Sequence, residues 1–518
     1  MKTARALMIL GTASHAGKSI VTTALGRILA DEGYRVAPFK AQNMSLNSAA
    51  TPDGREIGRA QALQAEACRI PPRAEMNPVL IKPSSDCSAQ VVVMGRVWGE
   101  VSAADYHQRR VEELFPIVLE AYQALAREHD VVLLEGAGSP AEINLKAHDI
   151  VNMRMAQAAR AACLLVGDID RGGVFASLLG TVELLEPCER ALLRGFVVNK
   201  FRGDRELLQP GIEMIRQRIR LPCAGIVPHL PDLGLDEEDS VGVEDRPGAA
   251  RAWKLNEDRC DRRLHIGVVR FPYLANFTDF DALGAEPSVS LAYLDRAEDL
   301  RKADLLILPG SKQTLNDLDW LRRAGFEPGI LHFAGSAGVV GICGGMQMMG
   351  RSIDDPRGAE NNGVARAGRG LGLLPIATVI EAEKVTRVVS GDVRAAKIFG
   401  QRPSITRFNG YEIHLGDTLY PDGTERFADI QRCGESIRRP DGAVAPNGRA
   451  IGTYVHGLFS DDAFRHSFLD AARAACGLTP LADKLFITAD RERSIDRLAE
   501  HVRRALDMDL VHDCLGIT

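Results

Sequence analysis

Short apolar runs without internal polar alternation recur along the chain, at residues 6–10, 131–134, 163–166 and 196–198. Each closes on glycine, acid or amide residues, and helix-like stretches of ordinary length lie between them. A run that is apolar at every position describes a strand covered on both faces. Such strands alternating with helices predict a mostly parallel, doubly wound sheet, with ligands held off the carboxyl ends of its strands. A second series follows, at residues 264–269, 305–308, 339–342 and 451–455. Between the two, residues 232–263 carry Asp236-Glu237-Glu238-Asp239 and Arg246-Pro247-Gly248 with no clean periodicity, which predicts a surface linker. The expected fold class is α/β with two doubly wound, mostly parallel-sheet domains, spanning residues 1–235 and 263–518 around an acidic linker at 236–262. The second domain ends in a helical segment. There Ile495, Leu498, Val502 and Leu506 recur on one face beside Arg503 and Arg504, the pattern of a packing helix.

Composition agrees with this picture and narrows it. A chain of 518 residues exceeds what one core ordinarily holds, so two domains are expected on size alone. The net charge of −6 argues against a nucleic-acid partner and against a basic membrane-binding face. Ten cysteines are scattered without a Cys-x-x-Cys pair or metal-ligand spacing, which suits a reducing compartment. No apolar stretch reaches the length of a membrane span. The expectation is a cytoplasmic protein with neither membrane nor nucleic acid as partner.

The stretch richest in chemistry is Val339-Val340-Gly341-Ile342-Cys343-Gly344-Gly345-Met346-Gln347. An apolar strand enters, a helix-compatible segment leaves, and a cysteine stands between glycines at the corner, as in a nucleophile elbow with sulfur in place of a hydroxyl. The cysteine would project at a helix N-terminus, where the dipole and free N–H groups favour a thiolate. Most cysteines of this kind are buried structural residues; the flanking glycines favour the reactive one. Leu308-Pro309-Gly310-Ser311-Lys312 follows another strand and can turn an N–H toward Cys343, so Gly310 and Gly344 are the expected oxyanion hole. His456, at the end of the last strand, is the expected general base.

A second site is written near the start. Gly11-Thr12-Ala13-Ser14-His15-Ala16-Gly17-Lys18-Ser19 follows the first strand and opens a helix. Its N–H groups can cradle phosphates, Lys18 can reach their oxygens, and the Ser19 hydroxyl can ligate Mg²⁺. The phosphate-binding set is Gly11, Thr12, Gly17, Lys18 and Ser19. Glu135, at the end of its strand and before Gly136-Ala137-Gly138, is placed to hold Mg²⁺ or to orient a phosphate-bound water. Asn199 ends another strand, and its carboxamide matches the edge of adenine. Asp168 and Asp170 fit either a metal link or a helix cap.

The glycine–lysine loop, the Glu135-Gly136-Ala137-Gly138 turn and the Asn199-Lys200 loop resemble the dethiobiotin synthetase-like P-loop ATPases, which activate carboxylates as mixed phosphoric anhydrides. That resemblance implies ATP and Mg²⁺. The related partitioning ATPases carry a lysine five residues before the loop lysine; Ala13 stands there, which counts against a partitioning role. Cys343, Gly310 and His456 together resemble a class I glutamine amidotransferase domain, which cuts L-glutamine through a thioester and releases ammonia. Such domains usually carry a glutamate two residues after the histidine, whereas this chain has Leu458, a loss shared by the cobalamin-pathway branch. Glu412, in Gly410-Tyr411-Glu412-Ile413-His414, is a weak candidate to orient His456.

An acyl-phosphate site fused to an ammonia source implies ATP-dependent amidation with glutamine as nitrogen donor. Lys40-Ala41-Gln42-Asn43-Met44-Ser45-Leu46-Asn47, Met76-Asn77-Pro78-Val79-Leu80-Ile81-Lys82-Pro83 and Phe408-Asn409-Gly410-Tyr411 resemble the cobyric acid synthase family over nearly the whole chain. The resemblance implies a corrinoid polycarboxylate substrate, adenosylcobyrinic acid a,c-diamide, amidated at its b, d, e and g side chains. Lys40, Asn43 and Lys82 are the residues suggested to face those carboxylates, against the alternative of a solvated loop. Within the same class the rival is cobyrinate a,c-diamide synthase. From another class it is a nucleotide-switch protein with a degenerate glutaminase domain, prompted by Leu458.

Overall fold

The computed structural model describes residues 4–84, 88–102, 105–106, 111–231, 235, 263–361, 363–404, 407–481 and 484–517. The linker expected at 236–262 lies outside the described residues. The chain divides into two compact units.

The first unit is built on a six-stranded sheet in the order Cys223–Pro228, Leu193–Phe201, Ala162–Asp168, Arg5–Gly11, Val131–Glu135, Val36–Phe39. Every pairing in it is parallel. Leu7, Met8, Ile9 and Leu10 are wholly buried because their strand has neighbours on both edges and helices on both faces. Helix Lys18–Asp31 covers one face with Val21, Ala24, Leu25 and Ile28, an i, i+3, i+4, i+7 stripe. Since the strands run in register, Gly11, Glu135, Asp168 and Asn199 fall along one carboxyl edge. Residues 42–102 add a small sheet in the order Gln42–Met44, Val79–Pro83, Ser88–Val93, Arg96–Ser102.

The second unit carries a sheet in the order Val289–Leu294, Leu264–Val269, Leu305–Leu308, Gly338–Ile342, Ala450–Thr453, Ala443–Val444. It is parallel except for the last, edge strand. Beside it stands a largely antiparallel sheet that the apolar runs do not announce. Its centre is Ala377–Val393 paired with Arg407–Leu419, and one end pairs Tyr411 and Glu412 with Val455–His456. Ala377–Val393 mixes exposed, half-buried and buried positions, so no apolar run marks it.

Two segments leave the expected boundaries. Residues 490–518 belong to the first unit, not to the second, and residues 46–56 belong to the second. Hydrophobic burial explains the former: Leu498, Val502 and Leu506 pack with Val197 and Ala224 of the first sheet, and Ile495 with Leu63 and Ala67. Helix Ile487–Ala505 also brings Glu492 within 2.9 Å of Arg27, whose side chain is fully buried. In the latter, Lys384 pairs with Glu56 at 2.6 Å, and the Ser48 N–H donates to Asn276 at 3.1 Å. Among the described residues no helix is long and apolar enough to cross a membrane.

Leu498→Ala removes a side chain that is 1% exposed. It is expected to destabilise the first unit by about 2–5 kcal/mol in denaturant unfolding, whereas a change below about 0.5 kcal/mol would place that helix outside the core.

Candidate functional sites

The phosphate loop is held from three directions. The Thr12 N–H donates to the Val166 carbonyl at 2.9 Å, which ties the loop to the neighbouring strand. Gly17 caps the helix at φ 97°, and a Cβ there would stand 1.9 Å from Asn199 Nδ2, so only glycine fits. Lys18 Nζ donates to the carbonyls of Ala13 and Gly138, each at 2.9 Å. Ser19 Oγ donates to Glu135 Oε1 at 2.8 Å. Lys40 Nζ reaches the same oxygen at 2.9 Å, and Gln64 Nε2 meets the other at 2.5 Å. Glu135 and Lys40 are both buried, so each charge needs the other. A hydroxyl beside one carboxylate is a donor set that Mg²⁺ accepts when phosphate oxygens and water complete it.

Gly11, Thr12, Gly17, Lys18, Ser19 and Glu135 therefore gather at one carboxyl edge. Asn199 joins them as a brace: its Nδ2 donates to the Ala16 carbonyl at 2.9 Å. Asp168 accepts from Lys200 Nζ at 2.9 Å and from the Asp170 N–H at 2.8 Å. The alternative of a solvated loop fails for Lys40, Asn43 and Lys82, since all three are buried. Lys40 belongs with Glu135. Asn43 Nδ2 donates to Gln61 at 3.0 Å, and Lys82 lies within strand Val79–Pro83.

In the second unit, buried strand Gly338–Ile342 passes into helix Gly344–Met349 through Cys343, at φ 51° and ψ −111°. A side chain rarely adopts that geometry, and it persists only where the surroundings impose it. Here the Cys343 N–H donates to the Thr453 carbonyl at 2.8 Å, and Sγ lies 3.5 Å from the Ile413 carbonyl. At Gly310 a Cβ would stand 3.2 Å from His456 Cε1 and 3.9 Å from Cys343 Cβ. At Gly344 it would stand 2.9 Å from the Ser311 nitrogen. Both glycines thus sit where the backbone closes on the thiol. Gln347, one turn further on, is held by Thr314 at 3.2 Å and Tyr454 at 3.1 Å.

His456 is 2% exposed, and its ring stacks on Tyr411 with centroids 5.5 Å apart. Its Nδ1 lies 2.6 Å from Asp279 Oδ2, and the Gly457 N–H donates to Asp279 Oδ1 at 2.9 Å. Nε2 is on the other side of the ring, and His456 Cε1 and Cys343 Cβ both close on Gly310. Glu412 is not the partner of His456. It is committed to Arg432 at 2.8 Å and His414 at 3.3 Å. Burial works against its charge, but those two hydrogen bonds hold it below the usual carboxylate range. Sequence reasoning missed Asp279 because it stands 177 positions before His456, in a turn without an apolar run or motif to flag it.

Burial disfavours the His456 imidazolium, yet the charge and hydrogen bond of Asp279, with help from Cys343, raise its pKa from 6.5 to about 10. A raised folded-state pKa contributes stability that is fully present below pH 6.5 and is lost as pH climbs through about 10. NMR titration of the imidazole should show that high midpoint, accompanied by alkaline loss of stability. A midpoint near 6.5 would contradict the pairing.

Comparison with known proteins finds a match for each half of the chain. A family profile described as "CobQ/CobB/MinD/ParA nucleotide binding domain" matches residues 7–241. One described as "CobB/CobQ-like glutamine amidotransferase domain" matches residues 265–464. The cobyric acid synthase of Moorella thermoacetica is 46% identical over 99% of this chain and 98% of its own length. That of Syntrophobacter fumaroxidans is 45% identical over 99% of both chains. That of Desulforudis audaxviator is 47% identical over 99% of this chain and 100% of its own. With identity of this order along the whole length, and with both profiles matched, the chain belongs to the cobyric acid synthase family.

Proposed function

We propose that this enzyme uses ATP and L-glutamine to convert the b, d, e and g carboxylates of adenosylcobyrinic acid a,c-diamide into carboxamides, in the cytoplasm. The observation that carries this reading is that one chain of this family holds both a phosphate loop, with Ser19 against Glu135 and Lys18 reaching Gly138, and a cysteine elbow, with Cys343 and His456 both closing on Gly310.

In the glutaminase half-reaction, with the thiol proton already resting on His456 Nε2, Cys343 Sγ attacks the carboxamide carbon of glutamine as a thiolate. The tetrahedral oxyanion faces the N–H groups at Gly310 and Gly344. As it collapses, the C–N bond breaks and His456 returns its proton to the leaving nitrogen, which departs as ammonia. Water then cleaves the thioester to glutamate and free thiol. In the synthetase half-reaction, a substrate carboxylate oxygen attacks the γ-phosphorus of ATP, giving ADP and an acyl phosphate. Ammonia adds to the acyl carbon and inorganic phosphate leaves. Gly11, Thr12 and Gly17 present the loop to the phosphates, Lys18 offsets their charge, and Asn199 braces the loop at Ala16. Ser19 and Glu135 would hold Mg²⁺, which neutralises charge on the phosphates. Lys40, paired with Glu135, offsets the charge of that carboxylate at the same edge.

The full-length relatives favour this substrate over that of the sister diamide synthase, since each is named for cobyric acid. A nucleotide switch with a degenerate glutaminase loses its motive, because His456 has an acid partner despite Leu458.

Cys343→Ala is expected to lower glutamine-dependent amidation by at least about 10³-fold and to leave amidation with added ammonia intact. Lys18→Ala is expected to lower amidation from either nitrogen source by about 10²-fold or more. Liquid chromatography of the corrinoid products checks both. Equal loss from both sources in Cys343→Ala, or full activity in Lys18→Ala, would contradict this division of labour.

A further inference from the structure

The acid that usually steadies the histidine of such a site is missing from its customary place two residues on. Leu458 stands there, 3% exposed and packed in the hydrophobic core, so nothing at that position can accept a proton or a hydrogen bond. A buried imidazole that must take up and return a proton cannot be left without a partner on its far nitrogen. Its tautomer and its ring angle would both be free.

We propose that Asp279 is the positioning residue for His456, supplying from a remote turn what position 458 lacks. This rests on the glutaminase reading given above. Its two carboxylate oxygens do separate jobs. Oδ2 meets Nδ1 at 2.6 Å, which keeps a proton on Nδ1 and turns Nε2 away from the carboxylate. Oδ1 accepts from the Gly457 N–H at 2.9 Å, which fixes the backbone that carries the ring. The first bond sets the angle of the ring, and the second ties the same carboxylate to the backbone next to it, so ring and backbone are held relative to one another.

The carboxylate is itself held. Asp279 sits in turn Phe277–Phe280, whose Phe277 and Phe280 are buried. Asn276 opens the turn at φ 53°. Its carbonyl accepts from the Asp279 N–H at 3.0 Å, and its side chain accepts from the Ser48 N–H at 3.1 Å. Tyr293 Oη donates to the Phe277 carbonyl at 3.2 Å. The groups facing His456 are Asp279 from this turn, Cys343 from the elbow and Tyr411 from strand Arg407–Leu419. Asp279 is the only acid among these three.

The test uses the full-length protein and three readouts: glutamate release from glutamine, amidation with added ammonia, and the His456 titration. In D279N the amide oxygen can accept from only one of the two donors, Nδ1–H or the Gly457 N–H, and the charge is gone. Glutaminase kcat is expected to fall about 10²–10⁴-fold with KM little changed. The His456 midpoint should drop from about 10 toward 6.5. Ammonia-supported amidation, which bypasses the thiol, reports that the variant is folded. D279E keeps the charge one methylene out of place, so it should lose roughly tenfold in kcat while holding a high midpoint. If D279N fails to fold, D279E decides: a wild-type kcat would overturn the proposal. So would D279N retaining glutamine turnover within about threefold, or an unmoved midpoint. Cys343→Ala separates the two levels. If it still uses glutamine, the glutaminase reading itself fails; if it is inactive on glutamine while D279N is not, only the role of Asp279 fails.

Discussion

A parallel strand buried on both faces can present polar groups only at its ends. In each unit the central strands satisfy their backbone through parallel neighbours and are covered by apolar side chains, so chemistry is confined to the carboxyl edge. In the first unit that edge gathers the turn after Gly11, the carboxylate of Glu135 and the amide of Asn199, drawn from three strands far apart in sequence. In the second it gathers Cys343, Gly310 and the strand end before His456. The glycines in both sites follow from that crowding. Loops from adjacent strands, about 4.8 Å apart, must pass one another within contact distance of a reacting group.

Once polar groups are confined there, most are also cut off from water, and each buried charge has to be matched locally. Glu135 meets Lys40, His456 meets Asp279, and Glu412 meets Arg432 and His414. These pairs decide which residues are free to act. Glu412 is nearer in sequence to His456 than Asp279 is, yet Arg432 and His414 engage it, so it cannot orient the imidazole. Lys40 looks from sequence like a surface cation reaching for substrate, yet its ammonium is committed to the carboxylate that also accepts from Ser19.

What could be read in the sequence follows the same physics. The strands at 5–11, 131–135, 264–269 and 305–308 were legible because burial on both faces leaves only apolar residues to choose from. The loop at Lys18 and the elbow at Cys343 were legible because a sharp turn into a helix needs glycines at fixed spacing. Strand Val36–Phe39, with Pro38 inside it, and the antiparallel sheet around Ala377–Val393 left no such trace. The C-terminal helix announced its apolar face but not its destination, since an amphipathic stripe does not say which unit it covers. Asp279 was invisible for the most general reason. A carboxylate in a short turn means nothing until folding brings a histidine from another strand to within 2.6 Å of it.

The central claim is that nitrogen from glutamine, released at Cys343, ends in the amides of a corrinoid whose carboxylates are activated at the loop of Lys18. Mass spectrometry of the corrinoid after incubation with ATP, Mg²⁺, the a,c-diamide and glutamine labelled with ¹⁵N at its amide tests this most directly. A product carrying the label at the b, d, e and g positions is expected. An unchanged substrate mass, or amides formed without label, would contradict it.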